Sequence, residues 1–179
     1  MRRFVGILLV WLLCHLSVLL HELGHALGYR ISAGSAGWKV VAGSGPEILR
    51  TPKYTCRLIP VGGFFLPGEE PRTDKEKLAM LMGGPLASLL LTVLFGILRS
   101  CVFGPVQHAG GLGGILFPVS GFLLPFNFFQ FFFTAVPIRY RVVCRGFESD
   151  GLQIVRVMQR KRRSPDRTEK GSRPPTTDG

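Results

Sequence analysis

The chain has few charged residues and no paired cysteine motif. Only 18% of its 179 residues are charged and 46% are hydrophobic. This composition is too apolar for an ordinary soluble domain and fits a small protein that crosses a membrane several times. The four cysteines are scattered and form no C-x-x-C pair, so they predict neither a thiolate zinc site nor a disulfide framework. At this length we expect one compact bundle.

Acidic residues are half as numerous as basic ones. The 22 Lys and Arg against 11 Asp and Glu give a formal net charge of +11, which in a soluble protein would suggest a nucleic-acid partner. Here the basic residues gather between and after the apolar stretches. Membrane topology and anionic headgroups explain that distribution better, so we predict contact with a lipid bilayer and no nucleic-acid partner.

Three apolar stretches have about the 20 residues needed to cross a bilayer. We predict spans at 4–28, 78–98 and 112–137, with the third kinked by Pro118 and Pro125. The fold class is therefore α-helical and membrane-embedded, a bundle of about three transmembrane helices. No internal repeat is visible along the chain.

The connections add smaller elements to this bundle. The more polar segment 30–77 contains two predicted strands, 38–41 and 54–59, with a turn region at 43–46 between them. We therefore expect a small β-hairpin in the first connection. After the third span, the apolar pattern at 152–158 predicts a short helix.

The chain divides into a membrane core and a tail. We place the core at residues 1–159 and a disordered basic tail at 160–179, because the tail is rich in Arg, Lys, Ser, Pro and Thr and almost free of apolar residues. All but three of the basic residues, Arg2, Arg3 and Arg99, fall on one side of the three spans. The positive-inside rule then predicts a multi-pass protein of the cell membrane with its tail in the cytoplasm.

The first span contains the run His21-Glu22-Leu23-Gly24-His25. On a helix, H-E-x-x-H places two imidazoles one turn apart on one face, the geometry for binding Zn²⁺, and leaves a carboxylate beside them as a general base. Ionisable side chains inside a span are costly and are functional candidates by default. We therefore predict one Zn²⁺ per chain, with Glu22 as the catalytic residue.

A catalytic zinc site usually has a third protein ligand and an open position for water. The carboxyl ends of the first and third spans emerge on the same side, so acidic residues after the third span come up beside the histidines. Asp150 is favoured because Ser149 is a plausible helix cap and an Asp in the first turn is stabilised by the helix dipole. The alternative is that Asp150 only caps the helix. Other candidate ligands are Glu148, His15, His108, Glu69 and Glu70.

Small residues at four-residue spacing occur in the first two spans. They predict that two helix backbones approach each other closely. Asn127, a lone polar group in a Phe-rich run of the third span, is expected to bridge helices. The small pairs are Gly24 with Gly28, Gly83 with Ala87, and Gly84 with Ser88.

Four sequence blocks occur in a fixed order. They are H-E-L-G-H-A-L-G at 21–28, I-P-V-G-G-F at 59–64, G-G-P-L-A-S at 83–88 and S-D-G at 149–151. Together they resemble the site-2 protease family of intramembrane zinc metalloproteases, especially its small single-domain members. The resemblance covers roughly residues 5–158 and leaves the tail outside.

The resemblance implies an endopeptidase that cleaves transmembrane protein substrates. It implies that His21, His25 and Asp150 bind zinc and that Glu22 activates the zinc-bound water. The second block resembles a strand or membrane-dipping hairpin that could hold an extended substrate by backbone pairing. Its predicted substrate-binding residues are Ile59, Pro60, Val61, Gly62, Gly63 and Phe64.

The chain also departs from the family pattern. Ser88 stands where the family commonly has Asn. The family often has a short Asn-x-x-Pro-x-Pro run just before its Asp-Gly; we interpret Thr134 to Pro137 as its counterpart here, followed by a longer basic stretch before Asp150. A non-proteolytic zinc-binding scaffold or pseudoprotease is the alternative function, although the presence of Glu22 favours hydrolysis. A metal transporter is disfavoured because the chain lacks repeats and further ligands inside its spans.

Overall fold

The computed structural model describes residues 2–34, 37–106, 108, 111–139 and 148–163. Helices and one hairpin make up this part of the chain. The elements are α1 (Arg2–Ala33), β1 (Trp38–Arg50), β2 (Tyr54–Pro67), α2 (Asp74–Ile97), a π-helical continuation (Leu98–Phe103), α3 (Gly113–Ala135) and α4 (Asp150–Arg163).

Three helices are long and apolar enough to cross a membrane: Arg3–Ala33, Asp74–Phe103 and Gly113–Ala135. The prediction of three apolar helices, a hairpin and a final short helix is thus confirmed. The first two helices run beyond their predicted spans because hydropathy marks only the apolar part of each one, whereas the third lies within its predicted span of 112–137. The second helix, for example, begins at a capped polar turn, where the Thr73 hydroxyl accepts a hydrogen bond from the Glu76 amide.

The hairpin is longer than predicted, and its turn lies elsewhere. β1 and β2 pair antiparallel, with Val41 opposite Phe64 and also opposite Thr55, and the register shifts at several points. The predicted turn at 43–46 is wrong, because these residues lie inside β1 and the strands are joined at 51–53. Gly43 and Gly45 have φ of 86° and 81°, so they bend the strand without ending it.

α1 and α2 pack backbone to backbone through their small residues. A Cβ atom at Gly24 would overlap the Gly83 carbonyl, and one at Gly28 would overlap the Ala79 carbonyl. The predicted close approach of these two helices is confirmed. The Asn127 side-chain amide donates to the Ser17 hydroxyl at 3.2 Å, so Asn127 links α3 to α1 as expected.

α4 begins at a well-defined cap and runs further than predicted. The Ser149 hydroxyl accepts a hydrogen bond from the Leu152 amide at 3.2 Å, which confirms Ser149 as the cap residue. Residues 160–163, which the composition predicts to be part of a disordered tail, are helical, because Arg and Lys have high helix propensity. The rest of the predicted tail, 164–179, lies outside the described residues.

Candidate metal centre

Two helices bring three potential metal ligands together. His21 and His25 lie one turn apart on α1, and Asp150 is the first residue of α4. The Asp150 Oδ2 atom lies 3.4 Å from His25 Nε2 and 3.8 Å from His21 Nε2. Two ligand atoms each about 2 Å from a tetrahedral zinc ion are themselves roughly 3.3 Å apart, so the spacing fits one shared ion.

The two imidazoles are oriented through their other nitrogens. His25 Nδ1 lies 2.8 Å from the Met80 carbonyl oxygen. Because a carbonyl can only accept, Nδ1 carries a proton, and Nε2 is the nitrogen that faces Asp150. His21 Nδ1 lies 2.8 Å from the Ser88 hydroxyl oxygen, which can accept a hydrogen bond from that nitrogen in the same way. Metal-binding histidines in proteins are typically fixed by such outer contacts.

Asp150, the third potential ligand, is positioned by the Ser149 cap of α4. The Ser149 hydroxyl donates to the Val136 carbonyl at 2.7 Å and accepts from the Ile138 amide at 3.0 Å, which ties the start of α4 to the end of α3. Burial alone would raise the pKa of the Asp150 carboxyl, but its contacts with His21 and His25 outweigh burial and hold that pKa below its usual value. Asp150 is therefore ionised at neutral pH, the form that binds metals.

Glu22 lies beside this group and against the hairpin. Its side chain is only 5% exposed, and a Cβ atom at Gly63 of β2 would overlap its carboxylate. On the neighbouring turn, the His25 ring stacks on Phe65 with 6.3 Å between ring centroids. β2 therefore passes directly over the face of α1 that carries His25 and Glu22.

The absence of side chains at two glycines makes this packing possible. Gly63 leaves room for the Glu22 carboxylate, and Gly84 of α2 faces the His25 ring so closely that a Cβ atom would overlap the imidazole. The sequence showed both glycines only as parts of short motifs. Their contacts with the H-E-x-x-H residues depend on how α2 and β2 pack against α1.

The predicted substrate segment, Ile59–Phe64, lies entirely in β2. Ile59 and Val61 are about half exposed, and Gly62 has φ of 72°, a conformation that favours glycine. Gly63 contacts Glu22 as described above. The segment thus runs beside the candidate centre, and its assignment to substrate binding stays a prediction.

The other candidate ligands are engaged elsewhere or exposed. Glu148 pairs with Arg139 at 3.0 Å and also with Arg156. His15 contacts two backbone carbonyls. His108, Glu69 and Glu70 are exposed. In the described ranges, His21, His25 and Asp150 form the group whose ligand atoms lie within 4.8 Å of one another.

Ser88 is a site residue that the sequence did not reveal. Its spacing predicted helix packing, and its position marked a departure from the family pattern. The structure shows a fully buried hydroxyl bonded to His21. No local pattern could have shown this, because the two residues are 67 positions apart and meet only when α1 and α2 pack together.

We expect Ser88→Ala to weaken metal binding about 10- to 100-fold, the usual cost of losing an outer contact to a ligand. Without the hydroxyl, the His21 ring loses the partner that fixes its orientation. Zinc affinity measured by competition with a chelating dye tests this. The control is Ser120→Ala, since Ser120 is equally buried but donates to the Phe117 carbonyl within α3. Equal affinities in the two variants would contradict the role given to Ser88.

Comparison with known proteins places the chain in a family. No curated protein and no solved structure matches it. The sequence profile of peptidase family M50 matches residues 9–170, which include α1 from Leu9 onward, the hairpin, α2, α3 and α4. Because this match covers most of the sequence and all four groups of the candidate centre, the chain belongs to peptidase family M50, the site-2 protease family.

Proposed function

We propose that the chain is a membrane-embedded zinc endopeptidase that hydrolyses peptide bonds of transmembrane protein substrates. The observation that carries this proposal is the meeting of His21, His25 and Asp150 beside the buried Glu22. Membership of a metallopeptidase family supports it. The three ligands come from both ends of the sequence, so the meeting is a property of the fold and not of one motif.

The donor set fits zinc. Two imidazole nitrogens and one carboxylate oxygen are typical Zn²⁺ ligands, and three protein ligands leave a fourth position open. A zinc ion held there would polarise a substrate carbonyl and lower the pKa of a water molecule to about 7. The chain's own contribution is to orient both imidazoles, through Met80 and Ser88, and to supply an ionised Asp150.

Glu22 has the proton-transfer role. A carboxylate beside the ligands can take a proton from the attacking water and later pass it to the leaving amine. The β2 backbone at Gly63 packs against the Glu22 carboxylate and restricts its position. Its burial also excludes bulk water from that side of the group.

The strand β2 is the proposed substrate platform. The peptide bonds of a helix are shielded by the helix's own hydrogen bonds, so a transmembrane substrate must be extended before it is cut. Backbone pairing with an extended strand can hold it in that form. Residues Ile59–Phe64 lie beside Glu22 and are the segment proposed to do so.

The surroundings proposed for this chemistry are a lipid bilayer. The three long apolar helices support this, as do large apolar side chains on their outer faces, such as Ile7 and Leu90, each 70% exposed. The bias of basic residues toward the side where α1 and α3 end supports a cytoplasmic tail and a cut near the cytoplasmic face of the cell membrane.

Metal removal tests the proposed function. We expect the detergent-purified chain to hold one zinc ion and to cleave a single-span model substrate that carries helix-breaking residues near its cytoplasmic end. A chelator should abolish cleavage, and one equivalent of zinc should restore it. Metal content is read by elemental analysis and cleavage by electrophoresis. A chain that holds zinc but cleaves none of a panel of such substrates would be a binding scaffold, and the proposal would be wrong.

A further inference from the structure

One face of α1 lies along the strand β2. Trp11, His15, Glu22 and Tyr29 are separated by four, seven and seven positions, spacings that place them on the same side of a helix. Each of them contacts β2 or the residues just after it. Only Glu22 belongs to the H-E-x-x-H motif, so the motif leaves the other three unexplained.

Two of these side chains hold the strand before the substrate segment. The Trp11 indole N–H donates to the Leu58 carbonyl at 3.0 Å, and His15 Nε2 lies 2.7 Å from the Arg57 carbonyl oxygen. His15 Nδ1 lies 3.0 Å from the Trp11 carbonyl. The His15 ring lies between two carbonyl oxygens. Because a neutral imidazole carries one N–H, it donates to one of them, and we assign that hydrogen bond to Arg57, the nearer of the two. His15 is only 6% exposed.

The third side chain holds the chain beyond the segment. The Tyr29 hydroxyl donates to the Glu69 carbonyl at 2.9 Å and accepts from the Glu69 amide at 3.2 Å. The Tyr29 side chain is 1% exposed. Its ring packs against Phe65 with 5.7 Å between centroids. Tyr29 thus fixes both a strand side chain and the backbone that follows the strand.

These contacts provide hydrogen-bond partners for backbone groups of a strand that lies beside a membrane helix. Lipid offers no hydrogen bonds, so backbone groups at membrane depth must find partners in the protein. The register shifts in the hairpin interrupt its regular pairing near Arg57. Side chains of α1 supply partners on either side of residues 59–64, the segment proposed to pair with a substrate.

We propose that Trp11, His15 and Tyr29 are positioning residues that hold β2 in register with Glu22, so that Gly63 lies at the carboxylate and a paired substrate lies over the metal ligands. The expected effect on substrate binding rests on the proposed function, whereas the positioning of β2 rests on the hydrogen bonds described above. The helix that carries His21, Glu22 and His25 then also sets the position of the substrate strand.

Three single variants test the inference. Trp11→Phe, His15→Leu and Tyr29→Phe each remove hydrogen bonds to β2 or, for Tyr29, to Glu69 just after it, and keep an apolar or aromatic side chain. We expect amide hydrogen exchange in residues 57–66 to become about tenfold faster in each. KM for a transmembrane substrate should rise about three- to tenfold, since a lost hydrogen bond costs roughly 1 kcal/mol, while kcat and zinc content stay within about twofold of the unaltered chain.

Controls separate this role from general destabilisation. Leu12→Ala and Leu16→Ala change neighbouring positions whose side chains are 54% and 45% exposed, and they should leave exchange in 57–66 and KM unchanged. His15→Gln, which can still donate to the Arg57 carbonyl, should restore KM toward its original value.

Unchanged exchange in all three test variants would overturn the inference. So would a lower kcat at constant KM. If the unaltered chain does not cleave at all, the proposed function fails, but the exchange measurement still decides whether these side chains hold the strand.

Discussion

Glu22→Gln should abolish peptide hydrolysis and leave one zinc ion bound per chain. Glutamine has nearly the size and shape of glutamate but is a neutral amide, so it fits the buried site beside Gly63. It cannot take a proton from water, however, and loss of a general base typically costs about 100- to 10,000-fold in rate. Single-turnover cleavage of the model substrate, together with metal content of the same sample, measures both parts of the expectation.

A matched variant makes the result specific. Glu70→Gln makes the same chemical change in an exposed loop residue and should leave the cleavage rate unaltered. Because His21, His25 and Asp150 supply all three proposed ligands, zinc content should be equal in the two variants. A Glu22→Gln chain that cleaved at more than a tenth of the original rate would remove Glu22 from the proton-transfer role. A chain that lost its zinc would make Glu22 a ligand instead.

The sequence predicted those features of the fold that arise locally. Hydropathy located three long helices because each contains a long run of apolar side chains. The spacing of His21 and His25 indicated a common helix face because helical periodicity is fixed. The Ser149 cap was likewise predicted from neighbouring residues and is confirmed. These inferences needed no knowledge of how the elements pack.

The predictions that failed concern segments with competing local signals. Gly43 and Gly45 are typical turn residues, but in β1 they bend a strand that continues to Arg50. Long-range pairing with β2 decides between the two outcomes. Residues 160–163 have the composition of a disordered tail, yet the helix started at Asp150 extends through them. Elongating an existing helix costs far less than nucleating one.

The contacts around the candidate centre were the least predictable. Ser88 meets His21 across 67 positions, and Gly63 meets Glu22 from another element. The sequence alone could not identify which of Glu148 and Asp150 is the third candidate ligand, since the two residues are close in sequence and chemically alike. The helix start separates them: Asp150 opens α4 toward the histidines, whereas Glu148 lies before the cap and pairs with Arg139 and Arg156.

Asp150→Ala should lower zinc affinity by more than the roughly 10- to 100-fold that loss of an outer contact costs, because it removes a direct ligand. The two imidazoles would remain in place, each still oriented by its own partner, Met80 or Ser88. The substitution also removes an acidic residue from the first turn of α4, but this costs only about 0.3–1 kcal/mol, and the Ser149 cap remains. Zinc titration monitored by competition with a dye gives the affinity, and far-ultraviolet circular dichroism checks that the helices persist.

Glu148→Ala is the matched control for this experiment. It removes a carboxylate two positions away and breaks the ion pairs with Arg139 and Arg156, yet it leaves the three proposed ligands intact. We expect it to retain full zinc affinity.

If Asp150→Ala also retained full zinc occupancy at limiting zinc, Asp150 would not be the third ligand. The contact of Asp150 with His21 and His25 would then be an ion pair alone, and the metal would need a third group from elsewhere. If only Asp150→Ala lost zinc, the beginning of α4 would be part of the metal centre, and the Ser149 contacts that fix it would become determinants of activity.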